Sequence, residues 1–346
     1  MGSARSYLVA LVALIVMTAP FPVWAGKNDL QLLNLCPSTS SVLSTPECSW
    51  VHRGADGSIT GQVVPDLYGR QSFRSLMSEL AVALAPRIPM TADTGGIAGF
   101  QLSAELGLTE ISNHQSFWNG VQGVSANNPT AMRPDATLTS IGAFVRKGIW
   151  LPVPTLELGF GAMHLLDSHL TSWQGYLKVA IHEGASNWAP SVAVRGSLSY
   201  LTGSDQVTMT TTGLDFFVSK GFGLLKTARL EPFAGWGLIA IFAHSGQIDA
   251  TPNCDATKLA AGGETGNPYC ASSQTGTNND LKANFSFSSQ NAITRYRVFL
   301  GLKIRFAVTF FSAQYEAFFA GASQDGGAKD QSHTQNSLSL STGLQF

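Results

Sequence analysis

The chain has 346 residues, with 21 Lys plus Arg against 22 Asp plus Glu and a net charge near −1. Charged residues make up 12%, apolar residues 44% and aromatics 10%. A disordered chain, which needs high charge and few aromatics, is excluded, and so is a nucleic-acid-binding face, which needs a basic excess to neutralise phosphates.

The N-terminus reads as an export signal. Arg5 supplies a positive start, Tyr7 to Met17 an apolar run, and Val23-Trp24-Ala25 a small-x-small cleavage site before Gly26. Residues 1–25 are therefore expected to be a signal peptide. A lipoprotein would need a Cys directly after the run, and the first is Cys36. No later stretch approaches the roughly 18 consecutive apolar residues of a membrane helix, so any membrane residence is expected through strands.

Residues 26–95 read as a separate N-terminal segment carrying Cys36 and Cys48. Within it, Phe73 to Ala85 is ambiguous. Leu80, Val82 and Leu84 alternate as in a strand, and as a strand the segment would raise the strand count from ten toward twelve. Phe73, Leu76, Met77, Leu80 and Leu84 also recur at helical spacing, and Pro86 stops a helix. A helix over 73–85 is the expectation, either capping the mouth of the downstream strand region or lying inside it.

From residue 96 onward the dominant pattern is period-2 alternation. Leu156, Leu158 and Phe160 alternate with Glu157, Gly159 and Gly161; Val192, Val194 and Leu198 alternate with Ala193, Arg195 and Ser197. Leu214, Phe216 and Val218 alternate with Gly213, Asp215 and Phe217. Tyr296, Val298 and Leu300 alternate with Arg297, Phe299 and Gly301. Strands are predicted at 97–111, 133–147, 154–167, 173–183, 190–202, 206–220, 228–243, 290–304, 307–320 and 334–346. Glycine and serine on the inward positions relieve crowding, and Trp150, Trp173, Trp188, Tyr200 and Trp236 fall near strand ends. Gly221-Phe222-Gly223 and Gly235-Trp236-Gly237 lack the strand-to-helix context of a phosphate loop and read as turn and inward-facing glycines.

At the C-terminus Leu338, Leu340, Thr342, Leu344 and Phe346 alternate with serine, glycine and glutamine, and the chain ends on the aromatic. This segment resembles the last strand of bacterial outer-membrane β-barrel proteins, in which such a strand is the assembly signal. The resemblance implies an all-β, transmembrane, antiparallel up-and-down barrel over 96–346, located in the bacterial outer membrane. Its implied partners are outer-membrane lipid and the barrel-assembly machinery during insertion, with no nucleic acid.

Ten strands, with twelve as the alternative, put both barrel termini on the periplasmic side. The N-terminal segment 26–95 is accordingly expected there too, while 112–132 and 244–289 become outer loops. The barrel wall then separates the cysteines into two pairs. Cys36–Cys48 and Cys254–Cys270 are the expected disulfides, each stabilising by about 3 kcal/mol in the chain-entropy model. No Cys has a partner at metal-ligand spacing, so neither metal nor cofactor is expected.

The inward positions carry Glu105, Arg146, Glu157, Lys178, Arg195, Asp215, Glu231, Arg295, Arg297 and Glu316, five acidic and five basic residues. An ion-selective pore needs one sign to dominate, whereas a balanced set suits cross-lumen ion pairs. The functional expectation is a non-enzymatic barrel acting as a narrow or gated porin-like conduit for small solutes. One alternative is a structural or surface-interaction barrel with a packed lumen. The other is a rim lipid hydrolase, suggested by His164, Asp167, Ser168 and His169; adjacent Ser168 and His169 would point to opposite faces of a strand, which weakens that triad.

Overall fold

A computed structural model describes residues 26–36, 48–52, 54–55, 63–87, 89–96, 99–122, 134–149, 156–183, 189–224, 228–250, 284–287 and 291–346. Ten long strands form one antiparallel sheet: β1 Phe100–Glu110, β2 Thr137–Ile149, β3 Leu156–Leu165, β4 Thr171–His182 and β5 Ser191–Thr202, then β6 Val207–Ser219, β7 Ala228–Ser245, β8 Ile293–Phe306, β9 Thr309–Phe318 and β10 Gln335–Gln345. Each pairs with its sequence neighbours, and β10 returns to β1 from Gln101↔Gln345 to Thr109↔Ser337. The sheet is a closed ten-stranded barrel. Its two ends differ. The terminal end is where Phe100 and Phe346 exchange backbone hydrogen bonds of 3.1 and 2.8 Å, and the loop end lies opposite.

Alternation sorts the side chains as the sequence predicts. Leu158, Phe160, Leu198, Phe216 and Leu300 are exposed on the outside, while Glu157, Arg195, Asp215 and Arg297 are buried inside. The C-terminal residues Leu338, Thr342 and Phe346 point outward, and Ser337, Ser339 and Ser341 inward. Outside, Phe160 stacks on Trp173, and Trp236 stacks between Phe216 and Tyr296. An apolar wall of this extent is a lipid-facing surface. Trp150 and Trp188 lie outside the described residues.

The helix α1 spans Leu67–Leu84. It begins at 67 rather than 73 because Asp66 caps it, accepting a 2.7 Å hydrogen bond from the Gly69 amide. Pro86 follows its last turn. Every residue from Ser72 to Leu84 is buried, which only a helix enclosed all round achieves. It lies in the lumen, contacting strands on all sides of the barrel. Phe73, Leu76, Met77, Leu80 and Leu84 pack into one apolar cluster with inward Leu138, Leu165, Leu201, Met209, Ile239 and Ile241.

The N-terminal segment therefore sits differently from the periplasmic placement expected for 26–95. Residues 26–36 lie at the loop end, where the Asn28 amide donates to the Asp167 carbonyl at 3.0 Å and Leu30 bridges to Val121. The Cys36–Cys48 disulfide closes this cap. From there α1 enters the lumen, and residues 85–87 and 89–96 lie toward the terminal end, where β1 starts. The apolar inward positions at the loop half of β2, β3, β5, β6 and β7 account for this seat, since they would otherwise face water.

Candidate functional site

All ten inward charges named from the sequence are buried in the lumen. The strand register brings them together. Arg195 and Asp215 are direct cross-strand partners on β5 and β6, and the guanidinium donates to Asp215 Oδ2 at 2.9 and 2.7 Å. Arg297 on β8 reaches the same carboxylate from two strands away, donating to Oδ1 at 2.9 and 2.7 Å and to Oδ2 at 2.8 Å. The residue between them is Gly237, paired with Asp215 on one side and Arg297 on the other. A Cβ there would lie 2.0 Å from Asp215 Oδ1, so only glycine leaves the passage through which the two side chains meet.

Around this centre the lumen is cross-linked in layers. Arg297 also donates to the Pro86 carbonyl at 3.0 Å and stands 3.5 Å from Glu316, joining the wall to the chain just past α1. Arg87, buried beside them, donates to Thr109, Ser337 and the Ala83 carbonyl. Arg146 pairs with Glu105 at 3.1 Å, and Lys178 with Glu157 at 3.1 Å. Glu231 pairs with Arg229 at 2.9 Å. Arg295 is held by neutral oxygens, donating to Ser78, Ser332, Gln335 and the Phe319 and His333 carbonyls.

Helix α1 supplies polar groups that sequence reasoning missed. Glu79 accepts from the Trp118 indole at 2.8 Å and from the Ser112 and His333 amides at 2.9 and 3.1 Å. Arg74 donates to the Asn291 and Ala292 carbonyls at 2.9 and 3.2 Å. These groups satisfy loop backbone that would otherwise be buried without partners.

Below the central belt, Met90 and Ala92 pack among Phe144, Tyr176, Phe217, Phe233 and Phe299. Past that apolar ring, at the terminal end, lies a polar cavity of about 70 Å³ whose wall includes Gln101, Arg146, Glu157, Lys178, Lys303 and Arg305. Lys303 shares the inward register of Arg295 and Arg297, so alternation alone identifies it.

No family model matches the sequence, and no curated protein matches it. Among solved structures the chain is similar to Ail, the attachment invasion locus protein of Yersinia pestis, with TM-score 0.24 and 9% identity over 72% of this chain and 99% of that one. It is similar to Neisserial surface protein A, with TM-score 0.26 and 10% identity over 73% and 96%. It is also similar to the N-terminal β-barrel domain of Pseudomonas aeruginosa OprF, with TM-score 0.25 and 12% identity over 70% and 97%. The barrel architecture rests on the closed strand ladder, not on these likenesses.

At the loop-end rim, Ser168 and His169 are drawn into structural contacts. The Ser168 hydroxyl donates to the Leu165 carbonyl at 2.9 Å and accepts from the Leu170 amide at 3.1 Å, holding the turn between β3 and β4. His169 Nδ1 meets Asp29 at 2.5 Å, and its backbone amide donates to the same carboxylate at 2.6 Å. His164 contacts Thr171 at 3.0 Å. The cap is thus clasped to the rim by Asp29, a residue with no sequence signal of that role. Lys27 adds an ion pair with Asp135 at 2.5 Å. The hydrogen bond from Lys27 to Asp135 raises the Lys27 ammonium above its ordinary pKa. Cys254 and Cys270 lie outside the described residues.

Proposed function

We propose that this chain is a bacterial outer-membrane barrel closed along its axis by its own N-terminal segment. On this reading it is a structural or surface-interaction barrel, non-enzymatic, that works through its loop-end face in contact with outer-membrane lipid. One observation carries the reading: inward Leu138, Leu165, Leu201, Met209, Ile239 and Ile241 are packed against α1 rather than lining water. An open solute path needs a hydrated lumen, whereas the loop half of this one is filled by packed side chains. The exterior apolar wall and the outward-facing assembly signal support the membrane and the machinery that inserts the barrel.

A gated conduit is the second reading, favoured by the polar cavity at the terminal end. It requires α1 to withdraw. Five large apolar side chains of α1 are buried in the cluster, and at about 1.5–3 kcal/mol for each, withdrawal costs on the order of 10 kcal/mol. That corresponds to an open population of roughly one in 10⁷ without an external trigger. Planar-bilayer recording of the refolded chain from Gly26 onward tests the choice. Protein that shows heat-modifiable gel migration is expected to give no discrete conductance steps, while a variant lacking 26–85 gives them. Steps from the intact protein would overturn the closed reading.

A further inference from the structure

We propose that the terminal-end cavity is a binding site for one singly charged oxyanion, a phosphate monoanion or a short monocarboxylate, centred on Lys303. The inference goes beyond the closed-barrel reading and does not depend on it. Every carboxylate on the cavity wall already answers to a cation. Glu157 is held by Lys178 at 3.1 Å and by the Tyr176 hydroxyl at 2.7 Å. Arg229 serves both Glu231 at 2.9 Å and Asp93 at 3.2 Å.

Lys303 has no such contact: its cross-strand neighbour Glu231 turns its carboxylate to Arg229. Its side chain is 3% exposed, and among the described residues its ammonium donates only to two neutral amide oxygens, Gln345 Oε1 at 2.8 Å and Gln101 Oε1 at 3.4 Å. The Phe310 ring lies 4.7 Å from Nζ. Among the described residues no carboxylate oxygen comes within the 4.0 Å of an ion pair. Burying an uncompensated ammonium is costly, and neutral oxygens offset only part of that.

Two further donors at the same cavity lack acceptors. Because Gln101 turns its oxygen to Lys303, its amide nitrogen is left buried and unpartnered, and so is Arg146 Nε. Half-buried Arg305, also on the wall, makes no ion pair among the described residues. A single bound anion would supply the missing charge and the missing acceptors together.

Charge and size narrow the ligand. The wall holds five basic side chains, Arg146, Lys178, Arg229, Lys303 and Arg305. Three acidic ones share the wall, and Glu105, bound to Arg146, makes a fourth, leaving an excess of one positive charge. That excess matches a monoanion. A volume of about 70 Å³ is several times the roughly 10–15 Å³ that one water needs. A halide would fill one position, whereas an oxyanion offers two or more acceptor oxygens to the several donors of the wall.

The test is calorimetric titration of the folded protein in detergent micelles with sodium phosphate near pH 6 and, separately, sodium propionate, each against sodium chloride at equal ionic strength. Saturable binding of phosphate or propionate beyond the chloride control is expected, and the tighter of the two identifies the source. Lys303→Met should weaken it at least about tenfold, while Lys27→Ala at the opposite end leaves it unchanged. Gln101→Glu places a carboxylate beside Lys303. It should abolish anion binding and raise the thermal midpoint in low salt, which keeps the test decisive if the Lys303 variant does not fold. No binding beyond chloride, or binding unaltered by Gln101→Glu, would overturn the proposal.

Discussion

Asp215→Asn is the sharpest probe of the lumen network. The substitution keeps shape while removing one of two acceptor oxygens and the one negative charge between two guanidiniums that are 2% and 0% exposed. Glu316, 3.5 Å from Arg297, remains as a partial counter-charge for that arginine. Arg195 keeps the faces of Tyr176 and Phe217, at 6.0 and 5.8 Å. Removing one partner of a buried ion pair costs about 3–5 kcal/mol, and here two cations lose their partner at once. The expected loss is therefore about 4–5 kcal/mol, equivalent to a fall of roughly 10 °C or more in midpoint. The assay is the temperature or urea concentration at which the compact, fast-migrating gel form is lost in a fixed detergent. Replacing the whole centre by Arg195→Met, Asp215→Leu, Arg297→Met and Glu316→Gln should recover much of that loss, because no unpaired charge is then left at that centre. A fall under about 1 kcal/mol in Asp215→Asn would refute the claim that this carboxylate neutralises both arginines.

Three further outcomes are expected. Gly237→Ala should destabilise by about 1–3 kcal/mol through forced displacement of the Asp215 carboxylate, read by the same gel transition. Cys36→Ser, paired with Cys48→Ser, should leave the barrel's gel transition in place but raise protease cleavage within residues 26–66, since the disulfide closes the cap and not the wall. Lys27→Ala should cost under about 1 kcal/mol, because the pair with Asp135 is largely exposed. Asp135 raises the Lys27 pKa above 10.5, so the contribution is intact at neutral pH and is lost only as pH rises past that value. Comparing Lys27→Ala with the unsubstituted chain at pH 8 and pH 11.5 should show the difference shrink.

The barrel was legible because alternation is local: each strand announces its two faces within about ten residues. The ten inward charges followed from the same parity, and the register that pairs them is set by neighbouring strands. The seat of α1 was harder, since helical periodicity reports an apolar face but not what covers it. A signal existed on the strands. Leu238 to Ala243 reads LIAIFA, apolar on both faces, with Ile239 and Ile241 buried inside and Phe242 exposed outside. A strand apolar on both faces has packing on both sides, so this run marked a lumen filled by something apolar. Asp66 after Pro65 likewise marked the true helix start. The Asp29–His169 clasp had no such trace, because contacts between segments distant in the chain leave no spacing to read.

The network divides into two parts that answer to different causes. The Arg195–Asp215 and Glu157–Lys178 pairs are direct cross-strand neighbours, and Arg297 reaches Asp215 across Gly237, so strand register alone specifies them. Arg74 and Glu79, by contrast, bind backbone groups of 112, 291, 292 and 333, all at the loop end. Deleting 26–85 should therefore lower stability, by exposing the inward leucines and isoleucines, without dissolving the belt around Asp215. Hydrogen exchange should show strand amides near Arg195, Asp215 and Arg297 still protected, while protection collapses in 111–122 and 319–334. Equal loss of protection in both places would mean that the helix, and not the register, holds the lumen charges in place.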